Sequence, residues 1–95
     1  MELLPEKIKA KIPPLYSQDD TKDPVAHVKF FCPWSSWTWY AVEFDGKDVF
    51  FGKVIGLETE LGYFSLSELE NLRGPAGLRI ERDIHFQPQP LSQCK

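Results

Sequence analysis

The sequence predicts an α+β domain: a twisted antiparallel β-sheet of about four strands, open or partly closed into a barrel, with a short N-terminal helix and one capped helix. Three observations carry this expectation. Residues 25–32, 37–44, 48–55 and 78–86 are runs rich in β-branched and aromatic residues, and the first and last alternate apolar with polar side chains. Asp45-Gly46 separates the second run from the third, and these two residues tolerate the positive φ of a two-residue type I′ turn. Ser65 followed three residues later by Glu68 is a capping box, with Phe64 and Leu69 as its hydrophobic staple. The stretch 30–62 holds all three Trp and five of the seven Phe, and the rest of the chain is arranged around it.

Ninety-five residues with 42% hydrophobic and 14% aromatic content make one domain, 1–95, with one core. The net charge of −3 argues against generic binding to a phosphate backbone. Seven acids lie between Glu43 and Glu70 against Lys47 and Lys53, so that segment is expected to present an acidic surface. Cys32 sits in an apolar run and Cys94 in a polar tail, an arrangement that suits a reducing cytoplasm. No signal-peptide core is evident, and no apolar run approaches the ~20 residues of a membrane span, so a cytoplasmic location without membrane contact is expected.

Within residues 1–14, Pro5 suits a first helical turn, Leu4, Ile8 and Ile12 recur every four residues, and Pro13-Pro14 ends the helix. Residues 17–24 read as a flexible polar loop. In the core, 25–86, the first strand sets Ala26, Val28, Phe30 and Cys32 on one side. A two-residue turn at Asp45-Gly46 would pair Phe44 with Lys47, Tyr40 with Phe51 and Trp39 with Gly52, but it also sets Glu43 against Asp48, a like-charge pair. A four-residue loop pairing Phe44 with Val49 is the alternative. The segment 56–62 reads as a connection bounded by glycines, followed by a helix over 66–73 that Gly74-Pro75 terminates. In the last strand Arg79, Glu81, Asp83 and His85 alternate with Leu78, Ile80, Ile84 and Phe86. Pro88 and Pro90 then leave 87–95 as an extended tail without ladder pairing.

The aromatic surplus is the strongest functional signal. Most of these rings belong to the core, but Trp34 and Trp37, at the bend Pro33–Ser36, and Tyr40 are candidate anchors for a partner, because Trp and Tyr dominate binding energy where they are exposed. Glu43, Asp48, Glu58 and Glu60 would form the charged rim of that surface. His27, Glu81, Asp83 and His85 have the residue types of a metal or acid/base site but no diagnostic spacing, so they are weak candidates, and a charged face on an edge strand is the preferred explanation. No phosphate loop, no zinc signature and no recognisable nucleophile is present.

The strings VKFFCPWSSWTWYAVEFDG, GLETELGYFSLSELE and RGPAGLRIERDIHFQP resemble a family of small proteins known only as a domain of unknown function, carried by bacterial conjugative plasmids, integrative elements and phage-like islands. The resemblance runs from Leu15 to Leu91 and implies a bacterial, cytoplasmic accessory protein of a mobile genetic element. It brings no activity and no catalytic residues.

The expectation is therefore a non-enzymatic, cofactor-free, protein-binding module, accessory or defence-modulating, whose partner is a host or element-encoded protein. The alternatives are single-stranded nucleic-acid binding on an aromatic platform and a small metal-dependent hydrolase or nuclease. The sequence leaves the oligomeric state open.

Overall fold

The computed structural model describes residues 1–95. Five strands form an open antiparallel sheet: β2 (Val28–Phe31), β3 (Thr38–Phe44), β4 (Val49–Ile55), β5 (Thr59–Ser65) and β6 (Glu81–Arg82). Their spatial order is β5-β4-β3-β2-β6, so the edges stay apart and no barrel closes. Two further short strands, β1 (Val25–Ala26) and β7 (Gln89–Pro90), pair with each other. The helices are α1 (Glu6–Lys9), a single turn, and α2 (Leu66–Asn71).

The central strand β3 is buried on both faces, from Trp39 through Phe44. On one face Phe50 is the hub, stacked on Phe44 at 4.5 Å between ring centroids and on Phe64 at 5.1 Å, with Phe30 tilted against it at 5.6 Å. Leu3, Leu4, Ile12, Leu69 and Ile80 cover this face from the N-terminal segment, α2 and the stretch before β6. On the other face Tyr40 and Val42 pack with Ala26, Leu91 and Cys94.

A β-bulge in β3 sets these faces. Ala41 pairs with Gly52 and Glu43 pairs with Phe51, which leaves Val42 as an extra residue. An extra residue resets the period-two alternation, so Phe44 turns toward Phe50 while Glu43 joins the face of Val42. Gly52 answers the same distortion: a Cβ there would lie 1.8 Å from the Tyr40 carbonyl oxygen.

Several sequence expectations are corrected. The hairpin follows neither expected register, because Phe44 pairs with Phe50 and the Asp45 amide donates to the Val49 carbonyl at 2.9 Å. The Asp45 carboxylate accepts from the amides of Lys47, Asp48 and Val49 at 2.8, 2.7 and 3.0 Å, which holds a longer loop, while Gly46 takes φ +87°. These bonds draw the Asp45 carboxyl below the usual range, the Asp48 amide contributing most. Trp39 consequently faces Val54, not Gly52.

The segment 56–62 is no plain connection, because most of it belongs to β5. Thr59, Leu61 and Tyr63 alternate with Glu60, Gly62 and Phe64, a pattern that the flanking glycines mask. The expected first strand breaks at His27, whose amide donates to Ala41 at 2.9 Å, so Ala26 leaves the face of Val28 and Phe30 and joins the opposite cluster. The expected last strand shrinks to Glu81–Arg82: the Asp83 amide still donates to the Lys29 carbonyl of β2 at 2.9 Å, but Asp83 then opens a turn, its carbonyl accepting from the Phe86 amide at 3.2 Å, and Ile84 is exposed.

The tail is not an unpaired extension. Pro90 lacks an amide, but the next residue, Leu91, donates to Pro24 at 2.9 Å, and Leu91 and Cys94 are buried. Asp23 holds this tail by accepting from the Ser92 amide at 3.0 Å and hydroxyl at 2.6 Å.

The N-cap half of the capping box forms as read, the Ser65 hydroxyl accepting from the Glu68 amide at 3.0 Å, while the Glu68 carboxylate accepts from the Ser65 hydroxyl at 3.1 Å and not from the Ser65 amide. The N-terminal helix is shorter than 1–14 implied, yet Leu4 and Ile12 are buried as expected.

Candidate functional site

The sequence-derived anchors separate into one exposed group and several structural ones. Trp37 immediately precedes β3 and is 40% exposed. Its indole leans on Trp39 with centroids 6.1 Å apart and lies flat over Gly56, where a Cβ would come within 2.5 Å of the ring. Gly56 is thus the seat of Trp37. Around the indole, Val54, Leu57, Glu58 and Glu60 complete a shallow hollow of about 370 Å³ at the β4–β5 turn. Leu57 at the tip is 95% exposed. Trp37, Glu58 and Glu60 are therefore brought together, and Leu57 joins them although the sequence reading passed over it. A large apolar side chain within a glycine-bounded turn was the available signal.

The remaining candidates serve the fold. Trp34 is half-buried and covers Gly74, where a Cβ would meet the indole at 2.4 Å. Tyr40 is no exposed anchor: it is buried in the core, its hydroxyl donates to the Lys95 carbonyl at 3.0 Å, and burial pushes its pKa up. Glu43 is no rim residue either. Only 2% exposed, it accepts from the amides of Tyr16 at 2.9 Å and Gln18 at 2.7 Å and so anchors the 16–18 turn. Its partner in the expected like-charge pair points elsewhere. Asp48 accepts from the Ser67 amide at 2.8 Å and hydroxyl at 2.9 Å, which adds a second cap to α2.

His27, Glu81, Asp83 and His85 do not assemble a metal site, since no group of three or more His, Cys, Asp or Glu side chains is placed to hold an ion. Asp83 pairs instead with Lys29 at 3.6 Å and accepts from the His85 amide at 2.9 Å. His27 is half-buried, and desolvation lowers its pKa. The thiols are both free and buried, and burial raises the Cys94 pKa, which makes that sulfur a poor nucleophile.

A second hollow, of about 490 Å³, lies on the Tyr40 face between the 18–24 loop and the outer strands, floored by Val42, Phe51 and Leu61. Lys53 crosses its wall and donates to the Cys94 carbonyl at 2.7 Å. Of its polar lining, Glu43, Asp23, Ser92 and Lys53 are engaged in holding the loop and tail.

No helix is long and apolar enough to cross a membrane. Neither a curated protein nor a solved structure matches the chain. A family model described as "Protein of unknown function (DUF2958)" matches residues 3–94, nearly the whole length, and the chain belongs to that family.

Proposed function

We propose that this protein is a non-enzymatic binding module that takes a partner protein on the Trp37 end of its sheet, with Trp37 and Leu57 as apolar contacts and Glu58 and Glu60 as an acidic rim. The observation that carries the reading is an exposed indole seated on Gly56 beside a fully projecting Leu57. A rigidly seated aromatic loses little conformational freedom on binding, which is why such residues dominate interface energetics. The acids around it favour a basic partner surface and oppose a nucleic-acid backbone. Resemblance to proteins of plasmids, integrative elements and phage-like islands supports an accessory or defence-modulating role in the bacterial cytoplasm, with a host or element-encoded partner.

The test is affinity capture from the host with and without nuclease, comparing wild type with Trp37→Ala. A hot-spot anchor contributes about 2 kcal/mol or more, so Trp37→Ala is expected to weaken a nuclease-resistant partner by roughly 30-fold. Undiminished binding by a folded Trp37→Ala protein sinks the assignment, and loss of every partner on nuclease treatment replaces it with nucleic-acid association.

A further inference from the structure

Strand β5 is the outer strand of the sheet, and the side it turns away from β4 is open. Two hydrogen bonds frame its ladder: Leu66 donates to Asp48 at 2.8 Å beyond the Val49–Ser65 pair, and Gly56 donates to Glu58 at 3.0 Å beyond the Ile55–Thr59 pair. Hydrogen-bonded and non-hydrogen-bonded pairs alternate along an antiparallel ladder. Those two bonds therefore make Phe64, Gly62 and Glu60 the residues bonded to β4 and leave the amides and carbonyls of Thr59, Leu61 and Tyr63 directed outward. Leu61 and Tyr63 also project apolar side chains, 64% and 56% exposed.

Sheet edges are ordinarily guarded by lysine, proline, a bulge or brevity. β5 is seven residues long, its register with β4 is unbroken, and it carries neither Lys nor Pro and one charge, Glu60. The opposite edge, β6, is two residues long and needs no guard.

We propose that β5 pairs antiparallel with β5 of a second copy of this chain, about a two-fold axis through Gly62, to make one continuous ten-stranded sheet. This register alone pairs all seven residues of β5, because Thr59 and Ser65 are equidistant from Gly62. Leu61 then bonds across to the partner's Tyr63, and both copies contribute the same Leu–Tyr contact. Glu60 lies opposite the partner's Phe64, which keeps the one charge of each strand away from its like. Gly62 meets the partner's Gly62 in a non-hydrogen-bonded pair, where backbones approach most closely, and a Cβ at Gly62 meets nothing within 4 Å in the single chain. A second copy fits this edge better than a basic extended peptide, since the edge offers one acid against a self-matching apolar pair. A single ladder is smaller than a standard interface of about 800 Å² per partner, so association in the micromolar range is expected.

The experiment combines sedimentation equilibrium over a concentration series with amide exchange and directed cross-linking. The expected result is a reversible dimer that persists in high salt, with the Leu61 and Tyr63 amides gaining protection as concentration rises while Gly62 is protected throughout. Gly62→Cys should oxidise to a disulfide-linked dimer faster than Glu60→Cys, because only position 62 faces itself across the axis. Leu61→Pro removes an outward amide and leaves the β4 ladder intact, so it should suppress both dimer and cross-link. If Leu61→Pro proves unfolded, wild-type exchange decides. A monomer throughout the series, a dimer whose Leu61 and Tyr63 amides stay unprotected, or equal cross-linking at 60 and 62 overturns the proposal. Trp37→Ala, which lies at the turn and not in the paired ladder, should dimerise normally, so this result is independent of partner binding.

Discussion

Glu43 owes its burial to the extra residue at Val42. Without the bulge, period-two alternation would carry its carboxylate into the Phe50 face; with it, the carboxylate reaches the amides of Tyr16 and Gln18. Charge-assisted hydrogen bonds of this kind contribute about 1.5–3 kcal/mol each, and removing the acceptor strands two donors. Glu43→Ala should therefore cost about 2–4 kcal/mol in urea unfolding followed by tryptophan fluorescence. Glu43→Gln, which keeps one oxygen, should cost less; a neutral Ala variant would show that solvent already satisfies the turn. The sequence could not reveal this role, because a bulge without glycine leaves no local mark and Glu43 reads as one more acid beside a hairpin. Trp37 was legible as an exposed aromatic because it lies beside the bend Pro33–Ser36, whereas its seat on Gly56 depends on long-range strand pairing and was not.

Among the elements, α2 was the most legible because its start is encoded within four residues. Ser65→Ala removes the acceptor for the Glu68 amide and should cost about 1 kcal/mol, typical of an N-cap, measured by thermal or urea unfolding. Asp48 also bonds the first turn of α2, so a loss near the lower end, about 0.5 kcal/mol, would mean that this second cap compensates. The hairpin was half legible. Asp45-Gly46 does turn the chain, but the Asp45 carboxylate gathers three amides and so favours a longer loop than the dipeptide alone implies. The last strand misled for a different reason: alternation from Leu78 to Phe86 describes residues able to pair, but Asp83 gathers the His85 amide on its carboxylate and the Phe86 amide on its carbonyl, and this turn takes the chain away while β2 still runs on to Val28.

At the scale of the molecule, the α+β class and the open antiparallel sheet followed from composition and periodicity, but the covering of the second face did not. Residues from both ends of the chain enclose a sheet made by its middle, and prolines that block a long ladder still permit the short β1–β7 pair. Asp23 gives this closure a pH dependence. The Ser92 hydroxyl and amide hold the Asp23 carboxyl below its ordinary value, so its contribution is complete above about pH 4 and is lost as pH falls through the lowered folded value. Asp23→Ala should be less stable than wild type at neutral pH, and the gap should close on acidification below about pH 4, as read by urea unfolding across pH. A constant gap would assign the loss to packing. The bulge, finally, bears on how the family's chains could vary in length. Val42 is a spare step in β3: removing it would leave Ala41 opposite Gly52 and Glu43 opposite Phe51, with the pairing on either side still in frame. A single-codon deletion elsewhere in a strand shifts inward residues outward; at Val42 the frame survives, and what such a deletion forfeits is the packing of one fully buried side chain.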